Sequence, residues 1–197
     1  MIVLLHAFLA VYLQVVVPSQ DSRANPHDSP AIPYIAQNAC TFECCQYGPW
    51  RATATSTALA SAAPGAKTVF TVKPGDKVVA RRGIVIASKP GVTRVLRAVT
   101  LGYREGGKAP VLDLKPGDAL ITLYPMGEAY DRFWYGGEFY DDQIDMPEGS
   151  FGKPPFSDSL KVESRPVFVW WVEVTNAQGA VGWIANPRGF DGMDSCA

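Results

Sequence analysis

Side chains able to do chemistry are few in this chain and unevenly placed. Histidine occurs only at His6 and His27, so the body of the chain has no imidazole for a Ser-His-Asp or Cys-His nucleophile, or for a His-based metal site. The four cysteines, Cys40, Cys44, Cys45 and Cys196, make an even set with three clustered and the fourth at the far end. Adjacent cysteines rarely pair with each other, so one arrangement joins Cys196 to Cys44 or Cys45 and leaves Cys40 with the other. Such a bridge would tie the two ends of the domain together, worth roughly 3 to 5 kcal/mol in the chain-entropy picture. Zinc is the competing use, but Cys40-x3-Cys44-Cys45 lacks a second Cys pair or a nearby His, and neither metal nor cofactor is expected. Carboxylates remain. Asp141, Asp142 and Asp145, with Glu138 or Glu128, offer a pair for glycan hydrolysis or ligands for calcium. Without EF-hand or similar spacing, the simpler reading is a solvated acidic loop, and Asp191-Gly-Met-Asp194 reads as a turn that returns Cys196 to its partner. No Gly-rich loop has the spacing and following helix of a phosphate cradle.

The better candidate for a working surface is aromatic. Tyr130 to Tyr140 holds six aromatic residues in eleven positions, too many for one face of one strand to bury. Period-two alternation sends Phe133 and Tyr135 one way and Trp134 the other, so one set either faces a groove or is covered by a second layer. Tyr and Trp suit a groove because each joins a broad apolar surface to a polar tip. Trp170-Trp171 poses the same choice, since adjacent strand residues point to opposite faces. Trp134, Tyr135, Tyr140 and Trp170 are therefore the candidate ligand-binding residues, with Arg132 and Asp141 placed to orient a peptide or glycan.

The elements that must position them read as β-strands joined by turns. Trp171-Val-Glu-Val174 and Val181-Gly-Trp-Ile184 flank Thr175-Asn-Ala-Gln-Gly179, a strand, turn, strand signal in which Asn and Gly supply the left-handed backbone. Lys73-Pro-Gly-Asp76 sits between Val69–Val72 and Lys77–Arg81, and the same four letters recur 42 residues later as Lys115-Pro-Gly-Asp118, between Val111–Leu114 and Ala119–Leu123. In each, Pro presets the first φ of a type II turn and Gly provides the positive φ. Two copies with similar flanks point to duplication of a β-barrel unit, against chance recurrence of a common turn.

The Trp171 and Gly182-Trp183 hairpin, together with the Pro-Gly-Asp turns, resembles bacterial SH3-type (SH3b) domains. The resemblance covers about a third of the chain. It implies a small β-barrel in which Trp171 and Trp183 are the structural pair and Trp170 is freer, and in which ligands, often peptides, lie across aromatic grooves between loops. The expected fold is all-β: an SH3-like small barrel, as one composite unit or as two tandem or fused barrel units with a long insertion. Residues 39–110 would form a degenerate unit, and 111–197 a fuller one carrying the aromatic insertion 127–165.

Ahead of these, the apolar run Ile2 to Val17 ends at Pro18 and is short for a membrane span. It reads as a signal peptide over 1–19, although no Lys or Arg precedes it. A turn-rich segment, 20–38, reads as a flexible linker. Export and disulfides agree, so the expected location is secreted or periplasmic. The 18 Lys plus Arg nearly balance 19 Asp plus Glu, which disfavours nucleic acid as a partner. These observations imply a non-catalytic module that binds a peptide, glycan or protein of the cell envelope, with a carboxylate-based glycan hydrolase or a purely structural envelope protein as the alternatives.

Overall fold

A computed structural model describes residues 29–104, 111–144 and 158–196. The expected signal peptide, linker residues 20–28 and Asp145 lie outside the described residues, and the end of the expected linker is not flexible, because Tyr34–Gln37 forms a strand paired with Ile84–Ala87. Those described form strands and turns, with no helix among them. In chain order the strands are β1 (Tyr34–Gln37), β2 (Gly48–Ala52), β3 (Ser56–Leu59), β4 (Thr68–Val72), β5 (Lys77–Lys89), β6 (Gly91–Val95), β7 (Val99–Leu101) and β8 (Leu112–Leu114). They continue with β9 (Ala119–Gly127), β10 (Tyr130–Tyr135), β11 (Glu138–Gln143), β12 (Leu160–Ser164), β13 (Val167–Asn176), β14 (Val181–Ala185) and β15 (Phe190–Asp191).

The strands assemble as two small barrel-like units, one spliced into the other. In the outer unit the sheet order is β15-β2-β5-β13-β14, continuing through β3 and β4, with β1 paired to β5 as well. In the inner unit it is β12-β6-β9-β10-β11. Over five strands the two orders correspond; β3 and β4 then extend the outer sheet, whereas β7 and β8 form a separate two-stranded sheet. Each unit begins with a strand (β2, β6), makes a short hairpin (β3–β4, β7–β8), passes a Lys-Pro-Gly-Asp turn, and enters a strand that pairs back on the first (β5, β9). A further antiparallel pair follows (β13–β14, β10–β11), and a last strand returns to the first (β15, β12).

Register and hydrogen bonding repeat in detail. Trp50 pairs with Val78 as Thr93 pairs with Leu120, and Gly48 with Ala80 as Gly91 with Thr122. At the two turns Gly75 and Gly117 have φ of 92° and 97°. The Asp76 and Asp118 carboxylates each accept from the turn's lysine N–H at 2.8 Å. Gly75 donates to the Ala52 carbonyl at 2.8 Å, and Gly117 to that of Val95 at 2.9 Å. These shared bonds lock each turn to the end of its unit's first strand, so the recurring tetrapeptide marks a repeated structural unit.

The units divide the chain differently from the expected boundary at residue 110. The inner unit is the continuous run β6 to β12, while β13, β14 and β15 complete the outer one. The Trp171 hairpin therefore belongs with the first Lys-Pro-Gly-Asp turn, and the aromatic stretch supplies strands of the inner sheet. Both hairpins have local causes. Asn176 Oδ1 accepts from the N–H groups of Gln178 and Ala180 at 3.0 and 2.9 Å, and Gly179 follows at φ 81°. Gly136 and Gly137, at φ 59° and 93°, make the two-residue turn between β10 and β11.

Each unit has its own core. The outer one gathers Trp50, Val72, Val78, Val85, Trp170, Val172, Val174, Ile184 and Phe190, and the inner one Val95, Leu101, Leu114, Leu120, Phe133, Tyr140 and Leu160. Residues from the far face of the inner sheet, Leu123 and Tyr124, pack into the outer core and join the units. Tyr34 of β1 completes this seam, 4.9 Å from the Phe139 ring and 6.4 Å from that of Tyr124.

Disulfides Cys40–Cys45 and Cys44–Cys196 clamp the two ends of the described chain, the second across 152 residues. Cys196→Ser should lower stability by roughly 3 to 5 kcal/mol, read as an earlier urea midpoint under non-reducing conditions. An unchanged midpoint would show that the bridge does not constrain the unfolded chain.

Candidate functional site

The aromatic residues expected to line a groove are mostly structural. Phe133 and Tyr140 are fully or nearly buried in the inner core, stacked at 5.7 Å, and Tyr135 packs against the same core. On the opposite face Trp134 meets Phe139 edge-on at 4.7 Å. The sheet is thus covered on both sides, by its own core and by the seam with β1. Arg132 and Asp141 form a half-buried bidentate pair on that seam, with Nη2 donating to Oδ2 at 2.9 Å. Burial works against the Arg132 charge, but the bonded Asp141 carboxylate outweighs it and holds the guanidinium above its ordinary pKa.

Trp170 is not the freer tryptophan. It is 3% exposed, its Nε1 donates to the Ala39 carbonyl at 2.9 Å, and Phe42 meets its ring edge-on at 5.5 Å. The same carbonyl accepts from the Tyr47 hydroxyl at 2.8 Å, so the segment entering the cysteine cluster covers Trp170. Trp171 is as buried as Trp170, whereas Trp183 is half-buried under the Arg82 guanidinium, 5.3 Å from its ring centre. The core-facing residues of this hairpin are Trp170, Val172, Val174 and Ile184.

The expected acidic pair does not converge. Asp141 faces Arg132, while Asp142, its strand neighbour, turns inward and accepts from the N–H groups of Gly102 and Gln143 at 2.7 Å. Opposed faces cannot address one glycosidic bond. Glu43, Cys44 and Cys196 come close enough to suggest metal ligation, but both sulfurs are consumed in the disulfide.

The structure instead opens a groove where the two units meet. Its larger chamber, about 880 Å³, is lined by Phe42, Pro125, Val162, Pro166 and Phe168, with Thr93, Thr122 and Asp131 deeper and Glu43, Glu128 and Arg165 among the remaining wall residues. A second chamber of about 560 Å³ continues past Trp170 to Asn186, Arg188 and Asp194. Thr41, Phe42, Pro125 and Phe168 belong to both, which makes the chambers one groove with an apolar waist.

Three features set this shape. The disulfides hold residues 40–45 beside the returning C-terminal segment, where Ser195 N–H donates to the Cys44 carbonyl at 2.9 Å and Gln46 N–H to that of Met193 at 3.0 Å. The tip of the β9–β10 hairpin reaches this loop, and a Cβ on Gly127 would lie 2.8 Å from the Phe42 carbonyl carbon, so only glycine fits there. Asn186 fixes the other end, accepting the Trp170 N–H through Oδ1 at 2.9 Å. Of the groove residues, the sequence pointed to Trp170, to Glu128 as one of a carboxylate set and to Asp194 as part of a turn. Phe42 and Phe168 are isolated aromatics, and Thr93 and Thr122 are ordinary strand residues; aligning the two repeats would have flagged Thr93, which occupies the place of Trp50.

No protein family matches the chain, nor does any curated protein or solved structure. The two disulfides fit an extracellular or periplasmic protein, and among the described residues no helix is long and apolar enough to cross a membrane.

At the acidic end of the groove, partial desolvation, then the charge and hydrogen bond of Glu128, and then Asp194 raise the Glu43 carboxyl above its ordinary pKa. The folded state therefore favours protonated Glu43, and the resulting stabilisation is lost as pH rises through its folded pKa. Glu128→Gln should bring the Glu43 midpoint down toward the usual glutamate value in a carbon-detected NMR titration. A midpoint that stays put would show that the two carboxyls are not coupled.

Proposed function

We propose that this protein is a secreted, non-catalytic SH3b-like module that binds a cell-envelope ligand, a wall peptide, glycan or partner protein, in the groove between its two barrels. The observation that carries this reading is the apolar waist formed by Phe42, Pro125 and Phe168, which joins two chambers into one continuous groove. Concave sites with apolar walls and a few convergent polar groups are where small ligands and peptide segments bind, and barrel mouths are a recurrent location. The rim is preorganised, because Phe42 lies inside the loop closed by Cys40–Cys45 and little of its order need be acquired on binding.

Other support is consistent in kind. The Trp171 and Gly182-Trp183 hairpin and the repeated turns carry the resemblance to SH3b domains. The apolar run at Ile2 to Val17 supports export through a signal peptide, in keeping with the disulfides. Asp141 and Asp142 are committed to structural contacts, which removes the main support for a hydrolase built on that cluster.

The test is retention of the purified, disulfide-bonded protein on isolated cell-envelope fractions. Wild-type protein should be retained on at least one fraction, and Phe168→Ala should weaken retention at least about tenfold while leaving the folded spectrum intact. Absence of retention on every fraction, or retention indifferent to Phe168, would sink the groove as the site. Turnover of glycan substrates would contradict the non-catalytic reading.

A further inference from the structure

The two units repeat each other closely enough that a difference between equivalent positions is informative. In the outer barrel the inward residue of the first strand is Trp50, 1% exposed, its ring packed on Tyr47 and Phe190 and its Nε1 donating to the Gln46 carbonyl at 3.0 Å. It plugs that end of the barrel. The equivalent residue of the inner barrel is Thr93, paired with Leu120 as Trp50 is with Val78. A much smaller side chain takes the place of the indole, and Thr93 lines the large chamber of the groove.

The chamber floor is polar where a barrel interior is ordinarily apolar. Thr93 and Thr122, 0% and 3% exposed, and Asp131, 6% exposed, share the inner face with Val95, Leu120 and Phe133. Among the described residues Thr93 Oγ1 has no hydrogen-bond partner. A buried hydroxyl without a partner is costly, and such a group in a native protein requires an explanation. Asp131, which has an interaction of its own, also lines the chamber with its carboxyl group largely buried.

Charge narrows the ligand. The chamber wall carries three carboxyl groups, Glu43, Glu128 and Asp131, against one guanidinium, Arg165. Above the polar floor come Val162, Pro125, Phe42 and Phe168. This order of oxygen acceptors at depth and apolar walls above matches an extended aliphatic stem ending in a primary ammonium, which has three donors and no acceptor. Aromatic rings near the entrance favour the same charge.

We propose that the large chamber of the groove is a subsite for a primary-amine side chain of the lysine type, its ammonium received by Thr93, Thr122 and Asp131 and its methylenes by Phe42, Val162 and Phe168. The inference rests on the groove being a binding site and names the chemistry it selects.

The experiment titrates the full disulfide-bonded protein with N-acetyl-lysine methylamide and, separately, with N-acetyl-norleucine methylamide, which keeps the stem and lacks the ammonium. Two-dimensional NMR follows Thr93, Thr122, Asp131 and Val162. The lysine probe should give saturable shifts at these residues, the norleucine probe should bind at least tenfold more weakly, and Thr93→Val should weaken the lysine probe several-fold without unfolding the protein. Thr93→Trp, which restores the plug of the outer barrel, should abolish binding; if it fails to fold, Thr93→Val and the norleucine comparison still decide. Equal binding of the two probes, or no shift at the floor residues, would overturn the subsite. Envelope retention without lysine-probe binding would leave the groove reading standing and this one refuted, whereas specific lysine-probe binding without envelope retention would support the subsite and remove the envelope as its context.

Discussion

The ladder between β5 and β13 runs from Lys89 paired with Val167 to Val78 paired with Asn176, and it joins the outer sheet across everything encoded between those strands. Because an antiparallel pair needs only that its two ends meet, the chain between Lys89 and Val167 is free to fold as a unit of its own, provided its ends lie close together. The inner barrel meets that condition. Its first strand, β6, and its last, β12, are neighbours in one sheet, so entry and exit sit side by side and the insertion strains neither unit. Fused barrels of this kind also bury sheet surface that a lone small barrel would expose. Leu123 and Tyr124 leave the inner sheet to enter the outer core.

From this nesting the groove follows. Two units joined through one seam and one pair of crossings touch over part of their surfaces and diverge elsewhere, and the divergence is where Phe42, Pro125 and Phe168 line open space. Left to itself, the loop carrying Phe42 would be mobile, as a short turn with little apolar burial. The disulfides and the Ala39 carbonyl, which accepts from both Tyr47 and Trp170, hold it in place instead.

Much of this was legible in the residues and some of it was not. The Lys-Pro-Gly-Asp turns announced themselves because Pro and Gly each answer a specific dihedral requirement, and the two copies proved equivalent bond for bond. The cysteine pairing was narrowed by the adjacency of Cys44 and Cys45 and falls within that choice. Strand order was not legible, since local pattern fixes which residues point in or out but not which strand lies alongside. Sequence proximity therefore places the Trp171 hairpin with the nearer turn, whereas it belongs with the farther one. The burial of Trp170 is hidden for a related reason: alternation separates it from Trp171, but what covers it is Ala39 and Phe42, more than a hundred residues earlier. Thr93 gave no signal alone, because threonine is a common strand residue; only its equivalence to Trp50 makes it conspicuous.

The nested arrangement is tested most directly by cross-strand backbone NOEs in solution. The account predicts contacts between Val85 and Trp170, joining β5 to β13 around the inner unit, together with contacts between Thr93 and Val162, which close that unit. A set of NOEs placing the Trp171 hairpin against β9 instead, as two barrels in simple succession would require, would contradict it.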